Sequence, residues 1–204
     1  MPSYRHKETG KKFHRIHIPR TGGRFFDANL RMNGWEMQYS TQEFVENAET
    51  LHFHRALYEK HVPNIKEMPH ISIIRNPIDR FISSSIFLKK MYPAHVMDSM
   101  ENPIMFDMIL LDENAPYKDS IQWFRPQFEF ISVATNIWKF ESGLGEDFGE
   151  WVSDIVGVPF PIHKVDYQPL EFLNERDRLE RTPKLIDNIR RFYHADFKLF
   201  YPDQ

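Results

Sequence analysis

Apolar and polar residues change their period several times along the chain, and the changes mark out its elements. Phe13 to Pro19 alternates and is predicted to be a strand. A loop follows, then a helix is predicted over about 23–32, with Asn33-Gly34 as its C-terminal stop. Trp35 to Tyr39 reads as a short strand, Thr41 starts a small helix, and Leu51 to Leu57 begins as a strand. The run from His70 to Arg75, HISIIR, is continuous and β-branched and predicts a buried strand. Asn76-Pro77 then breaks the chain and opens a helix, proline being tolerated in the first turn. Further on, Pro103 to Leu111 predicts a short helix, Ile131 to Phe140 a strand, and Gly145 to Val156 an amphipathic helix. Thr182 to Phe200 predicts one long helix whose apolar positions are Leu185, Ile189, Phe192, Phe197 and Phe200.

Strands alternating with helices imply an α/β fold: a single domain over residues 1–204, with a mainly parallel central sheet flanked by helices. In such sheets ligands bind beyond the carboxyl ends of the strands. Two basic loops, Pro19 to Arg24 and Arg75 to Arg80, fall there.

Composition narrows the function. The net charge of −3 gives no support for a nucleic-acid partner, so any anion site has to be local. With no cysteine, disulfides and thiolate metal sites are excluded, and the 10 histidines show no metal-ligand spacing; no metal is expected. Residues 1–12 are polar and basic and are predicted to be a flexible N-terminal segment with no secretory core. No run reaches the length of a membrane span, so a cytoplasmic protein is expected.

The first basic loop, Ile18-Pro19-Arg20-Thr21-Gly22-Gly23-Arg24-Phe25-Phe26, places a glycine pair between two arginines at the head of a helix. Backbone N–H groups and a helix N-terminus around one point make a phosphate or sulfate site. Gly22 and Gly23 let the backbone approach, Thr21 offers a hydroxyl, and Arg20 and Arg24 bring charge. It is neither a Walker A loop nor GxGxxG. In the second loop Arg75 ends the buried strand, and Ser83 follows about two helical turns later within three consecutive serines, which are poor helix formers.

Together the loops resemble the cofactor signature of sulfotransferases that use 3′-phosphoadenosine 5′-phosphosulfate. That family's 5′-phosphosulfate loop has Ile or Val, then Pro-Lys-Thr-Gly-Gly, then Thr or Ser, Ser and Phe, matched by Ile18 to Phe26. Its 3′-phosphate motif, RxPxxRxxSxY, is matched by Arg75, Pro77, Arg80 and Ser83, and the C-terminal IRRFYHADFKLF is similar to its closing segment. The resemblance is nearest the carbohydrate enzymes of the heparan 2-O-sulfotransferase type. It implies a P-loop-like sulfotransferase fold, the phosphosulfate nucleotide as cosubstrate, and transfer of a sulfuryl group to an acceptor hydroxyl on a carbohydrate or small molecule. Cofactor contacts are implied for Arg20, Thr21, Gly22, Gly23, Arg24, Phe25, Arg75 and Ser83.

The family's bridging-oxygen lysine is Arg20 here, which keeps the charge but is effectively never deprotonated. Arg24, in place of a small hydroxyl residue, compensates at the same phosphate. An acceptor hydroxyl needs a general base, and histidine suits that role. The family's histidine stretch is matched by His52-Phe53-His54, which in an extended strand would share one face. His54 is then the base and His52 an orienting or substrate contact, whereas His14 and His17 read as strand residues. Arg80 either reaches a phosphate or pairs with an acid such as Asp79. Trp123, Phe124 and Arg125 line an acceptor groove or pack in the core, and Tyr92 to Tyr117 and His163 to Glu175 are candidate acceptor loops. The alternatives are a catalytically silent nucleotide-binding or sulfate-binding module of the same fold, and a small-molecule kinase, against which the missing Walker lysine counts.

Overall fold

The chain begins with a hairpin, β1 (Ser3–His6) and β2 (Lys12–Ile16), and continues through helix α1 (Gly23–Met32), strand β3 (Trp35–Met37) and the short pair β4 (Phe44–Val45) and β5 (Ala48–Glu49). Then come α2 (Arg55–His61), β6 (His70–Ile74), α3 (Pro77–Lys89), β7 (Thr135–Lys139), α4 (Glu146–Val156), α5 (Pro183–Phe192) and α6 (His194–Phe200). The computed structural model describes residues 3–38, 44–46, 48–62, 64–89, 122–165 and 181–203. Two compact units result, each made of two separated stretches: Met1–Arg75 with Glu129–Asp166, and Asn76–Phe128 with Tyr167–Gln204.

The first unit is built on a five-stranded sheet of order β3-β1-β2-β6-β7. Strands β2, β6 and β7 are parallel, with Ile16 opposite Ser72 and Ile74 opposite Lys139. The other half is antiparallel, with Tyr4 opposite both Phe13 and Met37. The sheet is therefore mostly parallel and mixed at one side, where β1 alone runs against the other four strands, and the cause is the N-terminal segment. Where the sequence suggested a flexible stretch over 1–12, Ser3–His6 is a strand with Tyr4 buried and stacked on Phe13 at 5.4 Å.

Strand β6 is buried at every position, as its unbroken apolar run predicts. Its two polar groups are satisfied: His70 Nε2 donates to the Ile65 carbonyl (2.7 Å) and the Ser72 hydroxyl to that of Ile16 (3.0 Å). On one face of the sheet Phe13, Ile71 and Ile73 join Phe26 and Leu30 of α1 and Phe148 and Val152 of α4 in a single core cluster. On the opposite face His14 and His70 meet Tyr58 of α2. Helix α1 has the bounds predicted for it. The small helix expected from Thr41 is replaced, in its described part, by the β4–β5 pair, and Glu46 takes a left-handed φ of 52° there. The helix expected over Pro103 to Leu111 lies outside the described residues.

In the second unit the long helix predicted over Thr182 to Phe200 is two helices. Thr182 caps the first, its hydroxyl accepting from the Leu185 N–H (3.2 Å), and Pro183 follows at the first helical position, as the sequence implied. The break is at Tyr193, whose buried hydroxyl donates to the Phe124 carbonyl (2.5 Å). Arg80 of α3 is buried, and its guanidinium donates to the Arg125 carbonyl (2.6 and 3.0 Å) and that of Trp123 (3.1 Å). Asp196 of α6 accepts the Gln127 and Phe128 N–H groups at 2.8 and 2.9 Å, and burial pushes its carboxyl upward. Phe124 packs on Phe81 and Trp123 stacks on Phe87, so of the two roles open to these aromatics the described contacts show packing. Among the described residues no helix is long and apolar enough to cross a membrane.

Arg80→Met keeps the aliphatic stem, removes both donors to the Arg125 carbonyl and leaves the Trp123 carbonyl with Ser84. It is expected to lower unfolding stability by about 3 kcal/mol, read as a shift in the urea midpoint. A loss below about 1 kcal/mol would show that the guanidinium does not hold this segment.

Candidate functional site

The loop after β2 is shaped by its own short-range contacts. Arg20 adopts φ 68° and Gly22 φ 90°, both left-handed. Glycine takes that conformation readily, but for arginine it costs about 1 kcal/mol or more. The Thr21 hydroxyl, buried, donates to the Ile18 carbonyl (2.8 Å), closing the turn. Helix α1 starts at Gly23, with Gly22 as a cap that offers no side chain and no acid in the first turn. The Phe26 N–H bonds the Gly22 carbonyl (3.2 Å), so the amides of Gly23, Arg24 and Phe25 precede the first intrahelical bond. Arg24 is exposed and Phe25 half-buried. Such an N-terminus favours an anion through its amides and its dipole.

The parallel pairing of β2 with β6 brings Arg75 to the same loop. Arg75 is buried, and its Nη1 donates to the Arg20 carbonyl (3.2 Å). Its guanidinium also lies 4.7 Å from the centroid of the Phe140 ring. Phe140 and Leu144 in turn flank Gly22, where an added Cβ would come within 2.8 Å of Leu144 Cδ1. At Gly23 the constraint is stricter, because a Cβ would lie 1.9 Å from His17 Nε2 and 2.9 Å from Arg15 Nη2. The glycine pair thus admits its own neighbours as closely as it would admit a ligand.

Under this loop lies a polar cluster that the sequence did not disclose. Arg15, 3% exposed, pairs with Asp27 of α1 and lies 5.0 Å from the Phe26 ring centroid; the Tyr4 hydroxyl donates to the same carboxylate at 2.5 Å. The rings of His17 and His52 are 4.5 Å apart, and His52 Nδ1 donates to the His17 carbonyl at 3.0 Å. That bond leaves the lone pair of neutral His52 on Nε2, which is 3.7 Å from Glu49 Oε2. His17 Nδ1 is buried without a hydrogen-bond partner. Burial, helped by Arg15 and His52, holds the His17 imidazole well below its ordinary value. Burial likewise lowers His52 to about 4, against the bond to His17, and lowers His14 to about 3. The one sequence signal was a charged residue in an alternating apolar strand, Phe13-His14-Arg15-Ile16-His17; its partner on the helix was not legible.

Several predicted residues therefore come together: Arg20, Thr21, Gly22, Gly23 and Arg75, with Arg24 and Phe25 opening the helix. His52 and His54 do not share a strand face. Thr50–His52 is a 3-10 turn and His54 is the N-cap of α2, with Phe53 buried between them. The extended geometry is lost because α2 begins immediately after His54, and His52 faces His17 instead. The second motif is divided: Arg75 belongs to the first unit, whereas Pro77, Arg80 and Ser83 belong to the second. Arg80 meets backbone carbonyls, and Ser83, Ser84 and Ser85 are all buried on α3, with Ser84 donating to the Trp123 carbonyl (3.1 Å). Lys164 and His163 are exposed. The candidate acceptor loop at Tyr92 to Tyr117 lies outside the described residues, as does the one at His163 to Glu175 beyond Val165. Among the described residues no group of three or more His, Asp or Glu could hold a metal ion. No family model, curated protein or solved structure matches the chain.

Gly23→Ala is expected to destabilise the protein by about 2–3 kcal/mol through overpacking against His17, and His17→Ala in the same chain to recover part of that loss. An alanine tolerated at 23 without His17→Ala would overturn the contact. A pH effect follows from the buried imidazoles. They are neutral when folded and bind protons when unfolded, so their contribution is complete above 6.5 and is lost as pH falls toward about 4. Urea midpoints measured across that window should fall with a slope of up to about 1.4 kcal/mol per pH unit for each histidine, and His52→Gln should flatten it.

Proposed function

We propose that the protein is a sulfotransferase that moves a sulfuryl group from 3′-phosphoadenosine 5′-phosphosulfate to an acceptor hydroxyl. The observation that carries it is the loop from Pro19 to Arg24, which leaves three first-turn amides of α1 unbonded within the helix and has Arg75 against Arg20. These are donors suited to a tetrahedral anion, at the carboxyl ends of parallel strands. The loop amides and Arg20 would hold the 5′-phosphosulfate. In the reaction the acceptor oxygen bonds to sulfur as the bond from sulfur to the bridging oxygen breaks. Adenosine 3′,5′-bisphosphate leaves, and the acceptor proton passes to a base. Positioning and charge stabilisation carry most of such a loose, in-line displacement. Arg20 stabilises the departing phosphate by its charge and N–H groups without releasing a proton. His54, half-buried at the head of α2, takes the acceptor proton, while His52 is held at Nδ1 by the His17 carbonyl with Nε2 facing Glu49. An acceptor of the carbohydrate or small-molecule class fits the resemblance of the loops.

A second reading, a silent binding module, is favoured by one observation: Arg20 stands where a proton-donating lysine would be. Thermal unfolding with nucleotides and a transfer assay separate these readings. Adenosine 3′,5′-bisphosphate at 100 times its Kd is expected to stabilise the protein by about 2.7 kcal/mol, and ATP at equal concentration far less. Arg20→Ala is expected to lower sulfate transfer by about 100-fold or more. Bisphosphate binding with no sulfate transfer and no cofactor hydrolysis would leave the binding module; preferential binding of ATP would sink both.

A further inference from the structure

We propose that Arg75 is a positioning residue for the loop: it holds Arg20 in its left-handed conformation and does not read the 3′-phosphate of a nucleotide. Its ligands rest on the sulfotransferase assignment; its geometry does not. Arg20 has φ 68°, a conformation that a non-glycine residue keeps only where its surroundings enforce it. Thr21, whose hydroxyl reaches back to Ile18 (2.8 Å), and Gly22, at φ 90°, turn the chain immediately after Arg20. From outside this turn Arg75 Nη1 bonds the Arg20 carbonyl oxygen, at 3.2 Å.

Arg75 is itself held. It follows directly on β6, whose residues are all buried, and its guanidinium lies against Phe140, 4.7 Å from the ring centroid. Phe140 also packs beside Gly22, where a Cβ would sit 3.1 Å from its ring. Strand β6, the Arg75 guanidinium, the Phe140 ring and the two left-handed residues therefore form one closed chain of contacts within the first unit. Only 8% of Arg75 is exposed, so its charge acts on the ligand chiefly through the direction in which Arg20 and the following amides are presented. A guanidinium suits this task because its planar fork can bond a carbonyl while its face covers an aromatic ring, which a lysine cannot do.

Two measurements on Arg75→Met, which keeps the stem and removes the donors, test the assignment. The first compares its affinity for adenosine 3′,5′-bisphosphate and adenosine 5′-phosphate with that of wild type, using protein shown by circular dichroism to be folded. A positioning role predicts that both affinities fall by the same factor, about tenfold. A loss confined to the bisphosphate would overturn the proposal in favour of a 3′-phosphate contact, and unchanged affinity for both would overturn it in favour of a merely structural arginine. The second is a thermal double-mutant cycle with Arg20→Gly, since glycine accepts φ 68° without strain. Arg75→Met is expected to lower Tm by about 3 °C with Arg20 present and by about 1 °C in the Arg20→Gly chain; equal losses would overturn the coupling. If Arg75→Met does not fold, Arg75→Lys, which keeps the charge and loses the fork, takes its place in both measurements with the same expected pattern. Wild type that binds neither nucleotide would end the sulfotransferase assignment, and the thermal cycle would then decide the role of Arg75 by itself.

Discussion

The parallel ladder between β2 and β6 sets the rest of the first unit. With Ile16 opposite Ser72, and Ser72 donating its hydroxyl to the Ile16 carbonyl, the two strands end side by side and pointing the same way. Strand β7, paired in parallel on the other side of β6, ends there too. The chain leaving β2 must turn at once toward α1, the chain leaving β6 carries Arg75, and the chain leaving β7 carries Phe140. Three segments far apart in sequence therefore meet at one end of a sheet, and none of their contacts would survive a slip of one residue, which reverses every side chain to the other face.

Beneath that meeting point the unit buries charge where apolar packing would have sufficed. A buried ion pair is weak evidence for stability, because desolvation offsets most of the attraction. The Arg15–Asp27 pair instead fixes the rotation of α1 on the sheet, since the carboxylate on the helix has one guanidinium and one phenol to satisfy it. That rotation turns Gly23, rather than a residue with a side chain, toward His17. The neighbouring histidines are held uncharged by burial, and Arg15 opposes their protonation further. The arrangement leaves Arg15, paired with Asp27, as the cation of this cluster.

Local chemistry made some of this legible and left the rest hidden. The bounds of α1, the burial of β6, and Thr182-Pro183 at a helix start depend on residues close in sequence, and the chain states them openly. The antiparallel strand at Ser3–His6 does not show in a polar N-terminus, because its apolar partners, Phe13 and Trp35, arrive later in the chain. The spacing of His52 and His54 promised a shared face only for an extended backbone, and the 3-10 turn ending at His52 removed the premise. The partnership of His17 with His52 spans 35 residues, and no periodicity reports it. The Tyr193 break is a tertiary effect as well, the helix giving way where a phenol reaches a carbonyl on another segment.

The contact between His17 and Gly23 ties two positions by volume. The space that a methyl group would occupy at residue 23 is already filled by an imidazole nitrogen. A larger residue at 23 would need a smaller one at 17 to keep this packing, so a change at one position constrains the other.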